Sequence, residues 1–160
     1  MRSFVLASIV AMAASGAFGQ GKHPAAEYTL DVEDCIKSAA GSGQPMSAAE
    51  MCIARVSDPC LKDAKSTADM NGCSDSEKAV WDNILNETYR QLREKLVGEQ
   101  QEKLRDMQRA WIASRDKTCA FYWDYYQGTM ASPMAAACVN RETAQRALFL
   151  VGFLYATKDK

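Results

Sequence analysis

Residues 67–97 read TADMNGCSDSEKAVWDNILNETYRQLREKLV, and this stretch decides the fold. Met70, Cys73, Val80, Trp81, Ile84, Leu85, Thr88, Leu92 and Leu96 recur at three- and four-residue steps, which lays them along one side of a single long helix. Gly98 is a natural stop. Downstream, after a short link, a second long helix is expected over residues 99–125, with Leu104, Met107, Trp111, Ile112, Cys119 and Tyr122 facing inward. So short a link between long helices predicts an antiparallel hairpin, with a bent continuous helix as the alternative.

Gln127, Gly128 and Thr129 break the pattern, and Ser132-Pro133 offers an N-cap followed by a proline at the first helical position. The last helix is expected to run to about Tyr155, with Met134, Cys138, Thr143, Ala147, Leu150 and Leu154 inside. Upstream lie two shorter helices, residues 31–40 and 47–56. Ser47 and Glu50 have the spacing of a capping box, and Asp58-Pro59 is expected to end the second helix, leaving Cys60 in a connection. Strand signals are few. The expected fold is all-α: one small disulfide-stapled bundle over residues 28–157, built from a long helical hairpin, a C-terminal helix and two short N-terminal helices.

The N-terminus reads as an export signal. Met1-Arg2-Ser3 is a basic start, residues 4–14 are apolar but shorter than the ~20 residues a membrane span requires, and Ala17-Phe18-Gly19 supplies small residues at the cleavage positions. Residues 1–19 are thus expected to be removed, residues 20–27 to be disordered, and the mature product to stay out of the membrane. The chain is placed in the periplasm or the secreted fraction. There, the six cysteines Cys35, Cys52, Cys60, Cys73, Cys119 and Cys138 form a disulfide framework. Sequence alone does not choose the pairing. Nearest-neighbour bridges are expected because each would close a modest loop at a helix junction: Cys35–Cys52, Cys60–Cys73 and Cys119–Cys138. Loops of that size are worth about 3 kcal/mol each in the chain-entropy account.

No cysteine pair has the spacing of a zinc or thioredoxin motif, and the single histidine, His23, stands beside Pro24 before the helices begin. No metal and no cofactor are expected. With 19 Lys and Arg against 20 Asp and Glu, the net charge is −1 and forms no basic stripe, so nucleic acid is not an expected partner. The common catalytic base is missing from the helical part, and Glu94, Glu99, Glu102 and Asp106 alternate with cations as on a solvated face. No catalytic residues are assigned and no enzyme is expected.

Asp82, Arg115, Asp116 and Arg141 fall beside the apolar stripes, where a charge needs a partner, and are expected to form structural ion pairs. Phe121, Tyr122, Trp123, Tyr125 and Tyr126 form the densest aromatic cluster. Tyr122 shares a face with Cys119 and is assigned to the core. Tyr125, Tyr126, Gln127, Gly128 and Thr129 make the candidate partner-binding loop.

Taken in order, Cys60, Thr67, Met70, Asn71, Cys73, Glu77, Trp81-Asp82, Leu85-Asn86, Tyr89 and Leu92 resemble the lysozyme inhibitor LprI-like family. The second half agrees: Leu104, Gln108, Ala110-Trp111, Arg115-Asp116, Cys119, the Tyr-Gln-Gly-Thr loop, Cys138, Thr143, Arg146 and Leu148. The resemblance implies a disulfide-bonded helical domain outside the cytoplasm, with lysozyme as the partner it blocks. Cys35 and Cys52 lie in an added N-terminal segment. The expected function is an exported binding protein that occludes the substrate cleft of lysozyme. The alternative is an envelope adaptor, without lysozyme activity, that contacts another envelope protein.

Overall fold

The computed structural model describes residues 25–41 and 46–156. The expected signal peptide, and residues 20–24 of the stretch expected to be disordered, lie outside the described residues; residues 25–27 of that stretch belong to α1. Five α-helices and one 3-10 segment follow in order: α1 (Ala25–Gly41), the 3-10 helix (Met46–Cys52), α2 (Ser57–Asp63), α3 (Thr67–Lys95), α4 (Glu99–Tyr125) and α5 (Ala131–Ala156). No strand occurs among the described residues. The fold is an all-α bundle.

α3 begins on Ser66, whose side chain accepts from the Asp69 backbone N–H at 3.1 Å. Its buried side is the expected stripe, with Val80 and Trp81 fully enclosed. The turn into α4 is tight because Gly98 adopts φ 55°, ψ −127°. The Gln101 side chain then donates to the Arg93 and Leu96 carbonyls, satisfying two acceptors that the end of α3 leaves open.

α3 and α4 form a hairpin that approaches itself little, because α5 packs along both helices and lies between them. It runs antiparallel to α4, with Arg146 opposite Gln108 and Cys138 opposite Cys119. Apolar residues therefore circle α5 instead of forming one stripe, and Ala144, Ala147 and Leu150 have no exposed surface. α5 starts at Ala131, so Ser132 and Pro133 lie in its first turn; a proline is tolerated there because its missing N–H would have had no helical partner.

The N-terminal segment departs most from expectation. α1 starts at Ala25, earlier than residue 31, and the second helix is a short 3-10 turn that stops at Cys52, with Ser47 inside it. Pro59 does not end a helix. It sits in the first turn of α2, where a proline costs no hydrogen bond. What reshapes this segment is Glu77 of α3. Its fully buried carboxylate accepts from the backbone N–H groups of Ala54 at 2.6 Å, Val56 at 3.2 Å and Ser57 at 2.6 Å, and from Trp81 Nε1 at 2.9 Å. Ala54 turns to φ 73° in this loop.

Three disulfides close the bundle: Cys35–Cys52, Cys60–Cys73 and Cys119–Cys138. The first ties α1 to the 3-10 helix, beside a two-pronged pair in which Arg55 Nε and Nη2 donate to Asp31 at 3.0 and 2.9 Å. That hydrogen bonding holds the Asp31 carboxyl below its usual range. The second ties α2 to α3, and the third ties the end of α4 to the start of α5.

Candidate functional site

Cys119 and Cys138 are buried, with Cα atoms 5.5 Å apart, and beyond this bridge α4 continues for almost two more turns with little packed against it. The side chains it carries there are aromatic. Phe121 is 59% exposed and Tyr125 69%, while Tyr126 and Met130 are also open to solvent. The rings brace one another: Tyr122 stacks on Tyr126 with centroids 5.7 Å apart, and Tyr125 meets Tyr126 edge to face at 5.1 Å. Together with Thr118 they line a surface cavity of about 340 Å³.

Tyr122 is consequently not a core residue. It is half-buried, with its ring in that cavity and its hydroxyl accepting from Arg141 Nη2 at 3.4 Å. Helical spacing put it on the Cys119 face correctly, but no neighbouring helix extends far enough to cover it. The loop that follows carries Gln127, Gly128 and Thr129, all exposed. Gly128 takes φ 86°, which turns the chain back into α5, and the Ala131 N–H donates to the Gly128 carbonyl at 3.2 Å. The loop is thus anchored at both ends, by a disulfide at its base and by a backbone turn bond at its exit. Exposed rings braced on such an anchor suit binding to another molecule, because large contact area is offered at little cost in ordering.

Asp82, Arg115, Asp116 and Arg141 do not form one network. Asp82 pairs with Lys78 one turn earlier at 3.3 Å, and Arg115 pairs with its neighbour Asp116 at 2.8 Å. Arg141 is exposed and reaches Tyr122. Asp82, Arg115 and Asp116 find partners on their own helices, whereas Arg141 makes no ion pair among the described residues. Ile112, expected inside, is 40% exposed.

Two polar centres are built around residues that the family resemblance includes but to which the sequence assigned no role. Glu77 was one, although its place four residues before Trp81 puts it on the buried stripe. The other joins α4 to α5: Arg146 Nε donates to Gln108 Oε1 at 2.8 Å, and Trp111 lies between the Arg115 and Arg146 guanidinium groups, 5.0 and 5.6 Å from its ring centre. Burial lowers the pKa of Arg146. Its spacing from Phe149 and from Gln108's partner face offered no signal, since an arginine in a helix usually reads as surface.

Among the described residues no group of His, Cys, Asp and Glu could hold a metal ion, and no helix is long and apolar enough to cross a membrane. Comparison with curated proteins and with solved structures finds no match. A family model described as Lysozyme inhibitor LprI matches residues 60–150, a span that holds α3, α4, most of α5 and the bridge beneath the aromatic end. Because that span is more than half of the chain, the protein belongs to the lysozyme inhibitor LprI family.

Proposed function

We propose that this protein is exported, oxidised to its three disulfides, and inhibits a lysozyme by placing the aromatic end of α4 and residues 125–129 over the enzyme's substrate cleft. One observation carries the reading: in a chain of this family, an exposed aromatic cluster stands on a buried disulfide at the tip of a helix. A glycosidase is blocked when a rigid projection excludes sugar and water from its paired carboxylates. Tyr126, Gln127 and Thr129 offer hydroxyl and amide donors to such carboxylates, while Phe121 and Tyr125 supply apolar contact. The apolar N-terminal run and the three bridges support a periplasmic or secreted location.

The test is a titration of the oxidised protein, without residues 1–19, against an animal-type lysozyme acting on cell walls. Loss of lysis should saturate at a fixed ratio. The double substitution Tyr126→Ala with Thr129→Ala should weaken inhibition by about tenfold or more, the effect of removing one aromatic hot spot, with helicity and disulfides unchanged. Full inhibition by that folded variant would remove the loop from the mechanism.

A second reading, an envelope adaptor, is favoured by a different surface. Phe149 and Phe153 of α5 meet edge to face at 5.0 Å, both about half exposed, beside Met46 in an apolar groove of about 510 Å³. Undiminished lysis at large excess of protein, with copurification of a specific envelope protein, would decide for this reading.

A further inference from the structure

A groove on the opposite side of α4 shares no residue with the aromatic cavity. It runs between α3 and α4 over a floor of α5, and encloses about 460 Å³. Small side chains keep it open: Ala120 comes from α4, and Ala135 and Ala136 from α5. Asp75 on one wall faces a second wall that carries Asp116 and Trp123.

The lining carries two carboxylates, Asp75 and Asp116, against one ammonium, Lys78, which is paired with Asp82 at 3.3 Å. Asn71 Nδ2 donates to Ser132 Oγ at 2.7 Å. Acceptors remain open. Asn71 Oδ1 is buried without a hydrogen-bond partner among the described residues. Asp116 receives both of its bonds from Arg115 on Oδ1, which leaves Oδ2 open, and Asp75 stands exposed on the facing helix. Trp123, 55% exposed, adds an aromatic ring. What fits must bring positive charge, several donors and a face that stacks. A guanidinium has all three: five N–H donors, no acceptor, and a plane that lies over indole. An ammonium brings fewer donors, and a sugar hydroxyl brings one donor with two acceptor lone pairs.

We propose that this groove takes an arginine side chain projecting from a partner protein, with Asp75 and Asp116 gripping the guanidinium and Trp123 stacking on it. Because the groove is separate from the tip, the proposal holds whether or not the tip blocks an enzyme.

The experiment is an NMR titration of the oxidised protein with acetyl-arginine-amide, following the Trp123 indole N–H and the Ala135 and Ala136 methyl groups. These signals should shift saturably. Acetyl-citrulline-amide, the same shape without the charge, should bind about tenfold more weakly, and so should arginine to the Asp75→Asn, Asp116→Asn double variant. The Tyr126→Ala, Thr129→Ala variant should bind arginine as the unaltered protein does, which separates this result from failure of the inhibitor reading. No shift, an equal response to citrulline, or an unchanged response in the aspartate variant would overturn the proposal. So would shifts seen only with a soluble N-acetylglucosamine oligomer, which would assign the groove to sugar.

Discussion

Glu77 is the residue on which the two halves of the chain meet. An ionised carboxylate accepts at two oxygens with room for about four donors, and here three backbone N–H groups and one indole N–H fill them. Two of those donors, from Val56 and Ser57, stand at the start of α2, where helical N–H groups have no partner of their own. No cation pairs with Glu77 among the described residues, so its burial rests on those hydrogen bonds. Glu77→Gln keeps the shape but turns an NH₂ donor toward other donors. It should lower unfolding stability by about 3 kcal/mol, read as a fall in the urea midpoint at unchanged slope. An unmoved midpoint would show that the junction is held by the disulfides alone. Sequence hid this role because its backbone donors come from a segment 20 or more residues upstream. Only the stripe spacing hinted at it, and a charge on a stripe is easily read as a gap.

The long elements were legible and the short ones were not, for a physical reason. α3 was expected over residues 67–97 and spans Thr67–Lys95, and α4 has its expected bounds, Glu99–Tyr125. Helices of that length announce themselves through a repeated apolar spacing. A segment such as Met46–Cys52 is too short to hold itself, so its form is set by α1 and α5, against which it packs, and a capping-box pattern did not outweigh that packing. Sequence alone did not choose the cysteine pairing, but the nearest-neighbour expectation agrees with the three bridges, each of which spans a single junction, whereas the cover over Tyr122 depended on where other helices end. Two glycines test the backbone account of these elements. Gly98 holds φ 55°, ψ −127° with open space where a Cβ would go, so Gly98→Ala should cost about 1–3 kcal/mol through backbone strain alone. Gly72 lies inside α3, also with open space, so Gly72→Ala should stabilise by about 0.5–1 kcal/mol. Thermal melts of the two variants should move in opposite directions. A shift of the same sign in both would refute the assignment of Gly98 as the turn that makes the hairpin.

At the scale of the whole molecule, α3 has two working sides. At about 100° per residue, Cys73, Glu77, Val80 and Ile84 fall on one side, and Asn71, Asp75 and Lys78 on the other. The first side receives the N-terminal segment through Cys60, Ala54, Val56 and Ser57. The second borders the groove. Among the described residues, the segment with Cys35 and Cys52 lines neither the groove nor the aromatic cavity, and its contribution is to the core. Val32, Ile36, Ala49, Cys52 and Val56 belong to the same buried cluster as Trp81, Ile84 and Leu150. The family match begins at residue 60, but the core does not. Residues 60–150 alone would expose Val80 and Trp81, now wholly enclosed, and would strip Glu77 of three of its four donors. A chain lacking residues 20–59 should accordingly lose its cooperative melt and bind a hydrophobic dye, even with Cys60–Cys73 and Cys119–Cys138 oxidised. A sharp melt near the full chain's temperature would mean that α3, α4 and α5 suffice, and that the added segment is an attachment to a finished fold.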